Sequence, residues 1–157
     1  MKYQTIAALY LGLSVSSVMA ADLPSRHYLN LVTAKKVMQA AEQKAQKEGW
    51  PAVIAIVDDA GNPLLQERMD NADVPAGVIL APGKARTAAL FHRPSSDLEK
   101  ALNGPRPAVS SAKDFIMMSG GLPLSWQGQI VGAIGVSSAT PEHDVEIAQA
   151  GVAALTP

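Results

Sequence analysis

The segment from Gly128 to Asp144, GQIVGAIGVSSATPEHD, constrains the fold more than any other part of the chain. Its first half alternates in polarity and size as a strand does, with large residues on one face and smaller ones on the other. Small side chains let a helix, or a flat ligand, approach the strand backbone closely. The second half begins a helix, with Thr140 as N-cap and Pro141 at the first position. We therefore expect a central strand with one thin face, formed by Val131, Ala133, Gly135 and Ser137.

The glycines of this segment do not form a phosphate-binding loop. A dinucleotide fingerprint requires Gly-x-Gly-x-x-Gly directly after a strand, whereas Gly132 and Gly135 lie inside the strand pattern. No Lys-Ser or Lys-Thr pair follows, as a P-loop requires. Close helix packing and a flat ligand remain the two explanations for the small residues.

Helical and strand patterns alternate in the first half of the chain. Apolar residues at helical spacing predict a helix that is capped by Thr33 and ends at Gly49. A hairpin follows, with strands at Ala52 to Val57 and Pro63 to Met69. A second helical pattern ends at Phe91 and contains Pro82, so this helix either begins near Ala81 or is kinked.

The second half of the chain predicts a short helix and three more strands. The helix is capped by Ser95 or Ser96, and the loop NGPRPAVSSA after it is long enough to form a lid or a binding rim. Consecutive hairpins predict an antiparallel sheet and an α+β fold with helices over its faces. The three strands are predicted at Phe115 to Met118, Leu122 to Trp126 and Ile130 to Ser137.

The N-terminus has the pattern of an export signal. Lys2 supplies a short positive region, Ile6 to Val15 is apolar, and Val18-Met19-Ala20 forms a small-residue cleavage site. The apolar run is too short to anchor the chain across a bilayer. We expect residues 1–21 to be a signal peptide and residues 22–157 to be one periplasmic or secreted domain.

Composition narrows the range of partners. The chain has no cysteine, which excludes thiolate metal sites and covalent haem attachment. Removal of Lys2 takes the formal net charge from -1 to -2. The chain therefore lacks the excess positive charge that binds nucleic acid or an anionic membrane surface. The expected partners are small molecules or proteins.

Four motifs, VIAIVDDAGNPLLQERMD, KARTAALF, GGLP and VGAIGVSSATPEHD, occur in an order and at separations that resemble the GlcG/HbpS family. This family also includes the C-terminal domain of PduO-type proteins, and the similarity covers nearly all of the mature chain. The resemblance implies a profilin-like α+β fold with a five-stranded antiparallel sheet, homo-oligomers and, for several members, non-covalent haem binding. It does not imply one activity, since members are described as haem-degrading, as accessory proteins of redox sensing, or as companions of glycolate or diol metabolism.

Haem binding requires an apolar slot, an axial donor and cations for the propionates. His92 follows an apolar helix end and is our first candidate for the axial ligand. Phe91 would form the apolar wall, and the nearby Lys84, Arg86 and Arg93 would bind the propionates. The alternative is that His92 only favours the helix dipole and faces water.

Arg68 and Lys84 are the charged residues that fall within family-like motifs, RMD and KARTA. They could bind a carboxylate, either a haem propionate or a small acid such as glycolate. Alternatively, Arg68 is a surface residue paired with Asp70, and Lys84 is solvated. No His-x-x-x-His spacing or Gly-x-Ser-x-Gly elbow is present, so we assign no metal site and no catalytic residue.

The leading hypothesis is an exported, oligomeric protein that binds haem between the sheet and a helix, for transport, storage or sensing. A second is an enzyme or enzyme accessory that acts on a small hydroxy acid or aldehyde. A third is a structural oligomerisation module without a ligand.

Overall fold

Helices cover both faces of an antiparallel sheet in the computed structural model, which describes residues 22–155. The predicted signal peptide, residues 1–21, lies outside the described residues. The strands are β1 (Val53–Asp58), β2 (Pro63–Arg68), β3 (Gly121–Trp126) and β4 (Gln129–Ser137), in the spatial order β2-β1-β4-β3. The helices are α1 (Leu31–Glu48), α2 (Gly77–Phe91), α3 (Ser95–Leu102) and α4 (Pro141–Ala153), with a 3₁₀ helix at Pro107–Ser111.

The predicted α+β class is confirmed, but the described sheet has four strands rather than five. The segment predicted as the additional strand, Phe115 to Met118, has no regular secondary structure. Its backbone is bound by α3 instead: the Ser95 hydroxyl donates to the Met118 carbonyl at 2.6 Å. The following amide, Ser119 N–H, donates to the Glu99 carboxylate at 3.0 Å. These side-chain bonds satisfy groups that a neighbouring strand would otherwise pair.

Helices α1 and α4 pack on the face that carries the larger aliphatic side chains, and both helices belong to one buried cluster with Ile54, Ile56, Ile134 and Val136. The cap of α1 is Asn30 rather than Thr33, because the Asn30 side chain accepts a hydrogen bond from Thr33 N–H at 2.8 Å. An Asn at this position satisfies one of the free amides of the first turn.

Helix α2 lies directly on the thin face of the sheet. A Cβ placed on Gly135 would be 2.1 Å from the Ala81 carbonyl oxygen, and one on Gly121 would be 2.2 Å from the Lys84 carbonyl oxygen. Such distances leave no room between helix and strand. The small residues therefore serve helix packing, and the slot predicted for haem between the sheet and a helix is filled by α2.

The thin face predicted for β4 is correct for Ala133 and Gly135 but wrong for Val131. Val131 belongs instead to the cluster that contains Leu29, on the side of α1. The pairing register of β3 and β4 shifts between Leu124 and Ser125, opposite this part of β4. A register shift interrupts strict alternation, so a pattern of period two fails there.

Helix α2 begins at Gly77 and continues through Pro82, so of the two alternatives a start near Ala81 is wrong and the proline lies inside the helix. Proline has no N–H, so Pro82 cannot donate to the carbonyl of Val78 one turn earlier. The Gln66 side chain of β2 donates to that carbonyl instead, with a Nε2–O distance of 2.9 Å. This bond from the sheet compensates for the hydrogen bond that the proline removes.

We expect Gly135→Val to lower the free energy of unfolding by about 3 kcal/mol, because its side chain would overlap the α2 backbone, which cannot move aside easily. Chemical denaturation of a chain that begins at Asp22 measures this loss. Gly128→Asn is the control: apart from its chain neighbours, no atom of the described residues lies within 4 Å of a Cβ there, and φ is +78°. Asn tolerates that conformation, so equal losses in both variants would contradict the close packing of α2.

Candidate functional site

A buried ion pair joins α2 to α4 at the end of β4. The Lys84 ammonium lies 2.6 Å from the Asp144 carboxylate, and the two side chains are 3% and 4% exposed. The same ammonium donates to the Val136 carbonyl at 3.0 Å. The other Asp144 oxygen accepts hydrogen bonds from the Ser138 amide at 2.5 Å and hydroxyl at 2.6 Å. The pair therefore has the hydrogen bonds that a buried charge requires.

Local structure places Asp144 in this pair. It lies in the first turn of α4, where the positive end of the helix dipole favours a carboxylate. As predicted, Thr140 caps this helix, since its side chain accepts from His143 N–H. Gly120 lets the chain pass the pair closely: its φ is +112°, and a Cβ there would be 2.8 Å from the Asp144 Cβ.

A cavity of about 160 Å³ lies beside the ion pair. We call it the sheet-end cavity. Its wall combines Lys84 and Asp144 with hydroxyl groups and a second carboxylate, that of Glu99. The hydroxyl-bearing residues are Ser119, Ser137, Ser138 and Thr140.

Lys84 is thus buried and ion-paired, so the interpretation of a solvated helical lysine is wrong. Arg68 is exposed at the end of the edge strand β2. It lies opposite Val53, which is in turn opposite Ser137. Arg68 and the ion pair therefore share one end of the sheet but are separated by β1. No ion pair joins Arg68 to Asp70 in the part of the chain that the structure describes.

The other predicted haem residues lie at the C-terminal end of α2. His92 is exposed and ends the helix with a left-handed φ of 54°. The Phe91 ring packs edge-on against Phe115, with a centroid distance of 4.9 Å. Arg86 is exposed and lies against the β1–β2 turn, where a Cβ on Gly61 would be 3.0 Å from the Arg86 Cγ. The structure therefore brings Phe91 and His92 together but directs Arg86 elsewhere.

A groove of about 340 Å³ lies between the end of α2, α3 and the 3₁₀ helix. We call it the arginine groove, because Arg93 and Arg106 line it together with Phe91 and Leu98. The remaining lining residues are mostly small or apolar: Ala101, Ala108, Val109, Ser111 and Ala112. The loop predicted as a binding rim forms one wall. Sequence reasoning did not single out Arg106, although its place in that loop was a usable signal.

The remaining histidines have other surroundings. The His143 ring stacks on Trp50, with a centroid distance of 3.8 Å and an interplanar angle of 6°. Its Nδ1 is buried without a hydrogen-bond partner among residues 22–155. Lys44 lies 5.2 Å from the same Trp50 ring, and hydrogen bonds to Glu48 and Glu146 raise the pKa of Lys44. His27 is exposed. Within the described residues, no group of three His, Asp or Glu side chains could hold a metal ion.

The structure is thus an α+β domain in which helices cover both faces of the sheet. Two concave sites lie beside α2, the sheet-end cavity and the arginine groove. A family model described as haem degrading protein HbpS-like matches residues 29–153. The chain therefore belongs to this HbpS-like family, which confirms the resemblance found in the motifs.

Three similar proteins illustrate the range of this family. Protein GlcG of Escherichia coli K12 is 38% identical over 104 residues, which cover 66% of this chain and 77% of that protein. The crystal structure of an HbpS double mutant from Streptomyces reticuli has a TM-score of 0.80 and 33% identity, covering 92% of this chain and 99% of that one. A crystal structure of a PduOC:heme complex has a TM-score of 0.75 and 28% identity, covering 82% and 95%.

We expect Lys84→Met to lower the free energy of unfolding by about 3 to 5 kcal/mol, because it leaves Asp144 buried without its cation. Denaturant titration of a chain that begins at Asp22 provides the measurement. The double variant Lys84→Met, Asp144→Leu should regain part of the loss, since no unpaired charge remains. Lys35→Met, on the exposed side of α1, is the control, and its free energy of unfolding should stay close to that of the parent protein. A Lys84→Met protein of parental stability would contradict the role of the pair.

Proposed function

We propose that the mature chain is exported and binds haem non-covalently, in transport, storage or sensing. Membership of a family described as haem degrading supports this, as does the similar fold of a PduOC protein in complex with heme. The observation in this chain that carries the proposal is the arginine groove, which joins an apolar wall to two guanidinium groups.

The arginine groove suits one edge of a haem in chemistry, and the rest of the macrocycle would extend beyond it. Its volume of about 340 Å³ lies within the range of roughly 300 to 1,000 Å³ that is common for small-molecule sites. Phe91 and Leu98 offer the porphyrin an apolar surface. Arg93 and Arg106 can each donate paired hydrogen bonds to a propionate. Of the predicted propionate partners, Arg93 is retained, and Arg106 takes the place of Lys84 and Arg86.

His92 remains our proposed axial ligand. It directly follows Phe91 in the chain, and its exposed ring is available to a haem that rests on Phe91. A neutral imidazole nitrogen is a common axial donor for haem iron. The protein would hold the haem, and the chemistry at the iron would belong to the cofactor.

The structure gives little support to the second hypothesis, in which Lys84 binds the carboxylate of a small hydroxy acid. Its ammonium is already neutralised by Asp144, and Arg68 lies across β1 from the pair. A carboxylate in the sheet-end cavity would therefore meet a neutralised cation and, in addition, Glu99.

We also propose that the chain forms homo-oligomers through α2. The first seven residues of this helix carry no charge, and two of their aliphatic side chains are exposed: Val78 by 40% and Ile79 by 68%. Exposed apolar side chains of this kind often mark a surface that another protein covers, because burial removes them from water. A second copy of the chain is the partner that we propose.

Hemin added to the purified mature chain should give a saturable change in the Soret band. His92→Ala should lose most of that change, because the iron loses its axial donor, whereas His27→Ala in the N-terminal tether should retain it. Arg93→Ala and Arg106→Ala should each weaken binding about tenfold, the loss expected for a charge-assisted hydrogen bond. Absorbance titration measures both effects.

Two outcomes would contradict parts of this proposal. A parent protein without any saturable Soret change would rule out haem binding. If His92→Ala binds hemin as the parent does, His92 is not the axial ligand. The arginine variants then test the groove separately.

Ile79→Glu should convert an oligomer to the monomer, since a carboxylate would be buried in the proposed interface. Light scattering during size-exclusion chromatography gives the mass of each species. Leu23→Glu is the matched control, because Leu23 is 82% exposed in the tether and far from α2 in sequence. A monomeric parent, or an unchanged mass for Ile79→Glu, would refute the α2 interface.

A further inference from the structure

The sheet-end cavity contains hydrogen-bonding groups that the fold leaves unused. Ser137 is 3% exposed and lines the cavity, yet its hydroxyl has no hydrogen-bond partner among residues 22–155. The Lys84 ammonium has three N–H donors, of which Asp144 and Val136 occupy two. Both residues line the cavity, so the Ser137 hydroxyl and the third Lys84 N–H are available to a small molecule that enters it.

The charges in the wall select against an anion. The single cation, Lys84, is paired with Asp144 at 2.6 Å. Glu99 adds a second carboxylate, and one of its oxygens accepts from the Ser119 amide and hydroxyl. The other Glu99 oxygen accepts no hydrogen bond from a described residue. A ligand is therefore favoured if it is uncharged, accepts a hydrogen bond near Lys84 and Ser137, and donates one to Glu99.

The volume of the cavity limits the size of this ligand. A water molecule occupies about 30 Å³ in the liquid, so about 160 Å³ holds only a few heavy atoms. This is below the usual range for sites that bind larger ligands. Haem cannot fit, whereas a compound of two or three carbons can.

We propose that the sheet-end cavity binds a small uncharged hydroxy-carbonyl compound. The carbonyl oxygen accepts hydrogen bonds from Lys84 and Ser137, and the ligand hydroxyl donates to Glu99. This site is separate from the arginine groove, since the two share no lining residue. It therefore does not depend on the proposed haem function.

Hydroxyacetone is a suitable probe, because it is neutral and has three carbons. Titrated into the haem-free, isotope-labelled mature chain, it should shift the amide NMR signals of Ser119 and Ser138 in a saturable way. Ser137→Ala should weaken binding about fivefold, the effect of one hydrogen bond. Ser125→Ala, at an exposed position of β3, should bind as the parent does.

Glycolate tests the charge argument independently of Ser137. It has nearly the same size but carries a carboxylate, so the parent should bind it more weakly than hydroxyacetone. Glu99→Gln removes one negative charge while its amide oxygen can still accept from Ser119, and should strengthen glycolate binding. Haem titration of Ser137→Ala should match the parent, which separates this site from the arginine groove.

Three results would overturn the proposal. The first is an absence of saturable shifts with hydroxyacetone. The second is parental hydroxyacetone binding by Ser137→Ala. The third is glycolate binding by the parent that is as tight as hydroxyacetone binding.

Discussion

The close approach of α2 to the sheet is the constraint on which the other features depend. Because Gly121 and Gly135 have no side chains, the α2 backbone lies directly on β3 and β4. This contact fills the space in which a flat ligand could have lain. The two concavities in which we propose ligands lie beside the helix instead: the sheet-end cavity at Lys84 and the arginine groove at Phe91.

The Lys84–Asp144 pair depends on the same contact, since it is α2 that carries Lys84 to the end of β4. A buried ion pair adds little net stability over apolar residues of similar volume, but the loss of one partner is costly. The pair also joins three elements in one arrangement, because Lys84 binds the β4 carbonyl of Val136 and Asp144 binds Ser138. It fixes the polar wall of the cavity and neutralises the cation that an acid ligand would need.

The two faces of the sheet have different roles. The face under α1 and α4 carries large aliphatic side chains and forms the main core. The α2 face has small residues and two minor clusters. Helix α2 therefore buries a surface of alanines while Val78 and Ile79 remain exposed on its outer side. This asymmetry is the basis for the proposed oligomer.

The sequence by itself determined the α+β class, the thin face around Gly135, the Thr140 cap of α4 and the family. The family follows from the resemblance of four motifs, and the other features follow from periodicity, cap chemistry and turn residues, which act over a few neighbouring positions. Only the tertiary structure decided that Asp144 pairs with Lys84, 60 residues away, and that Arg106 lines a groove with Phe91. It also decided that the predicted strand from Phe115 to Met118 is bound by α3. Such partners are set by how distant elements pack together, and no local pattern encodes that packing.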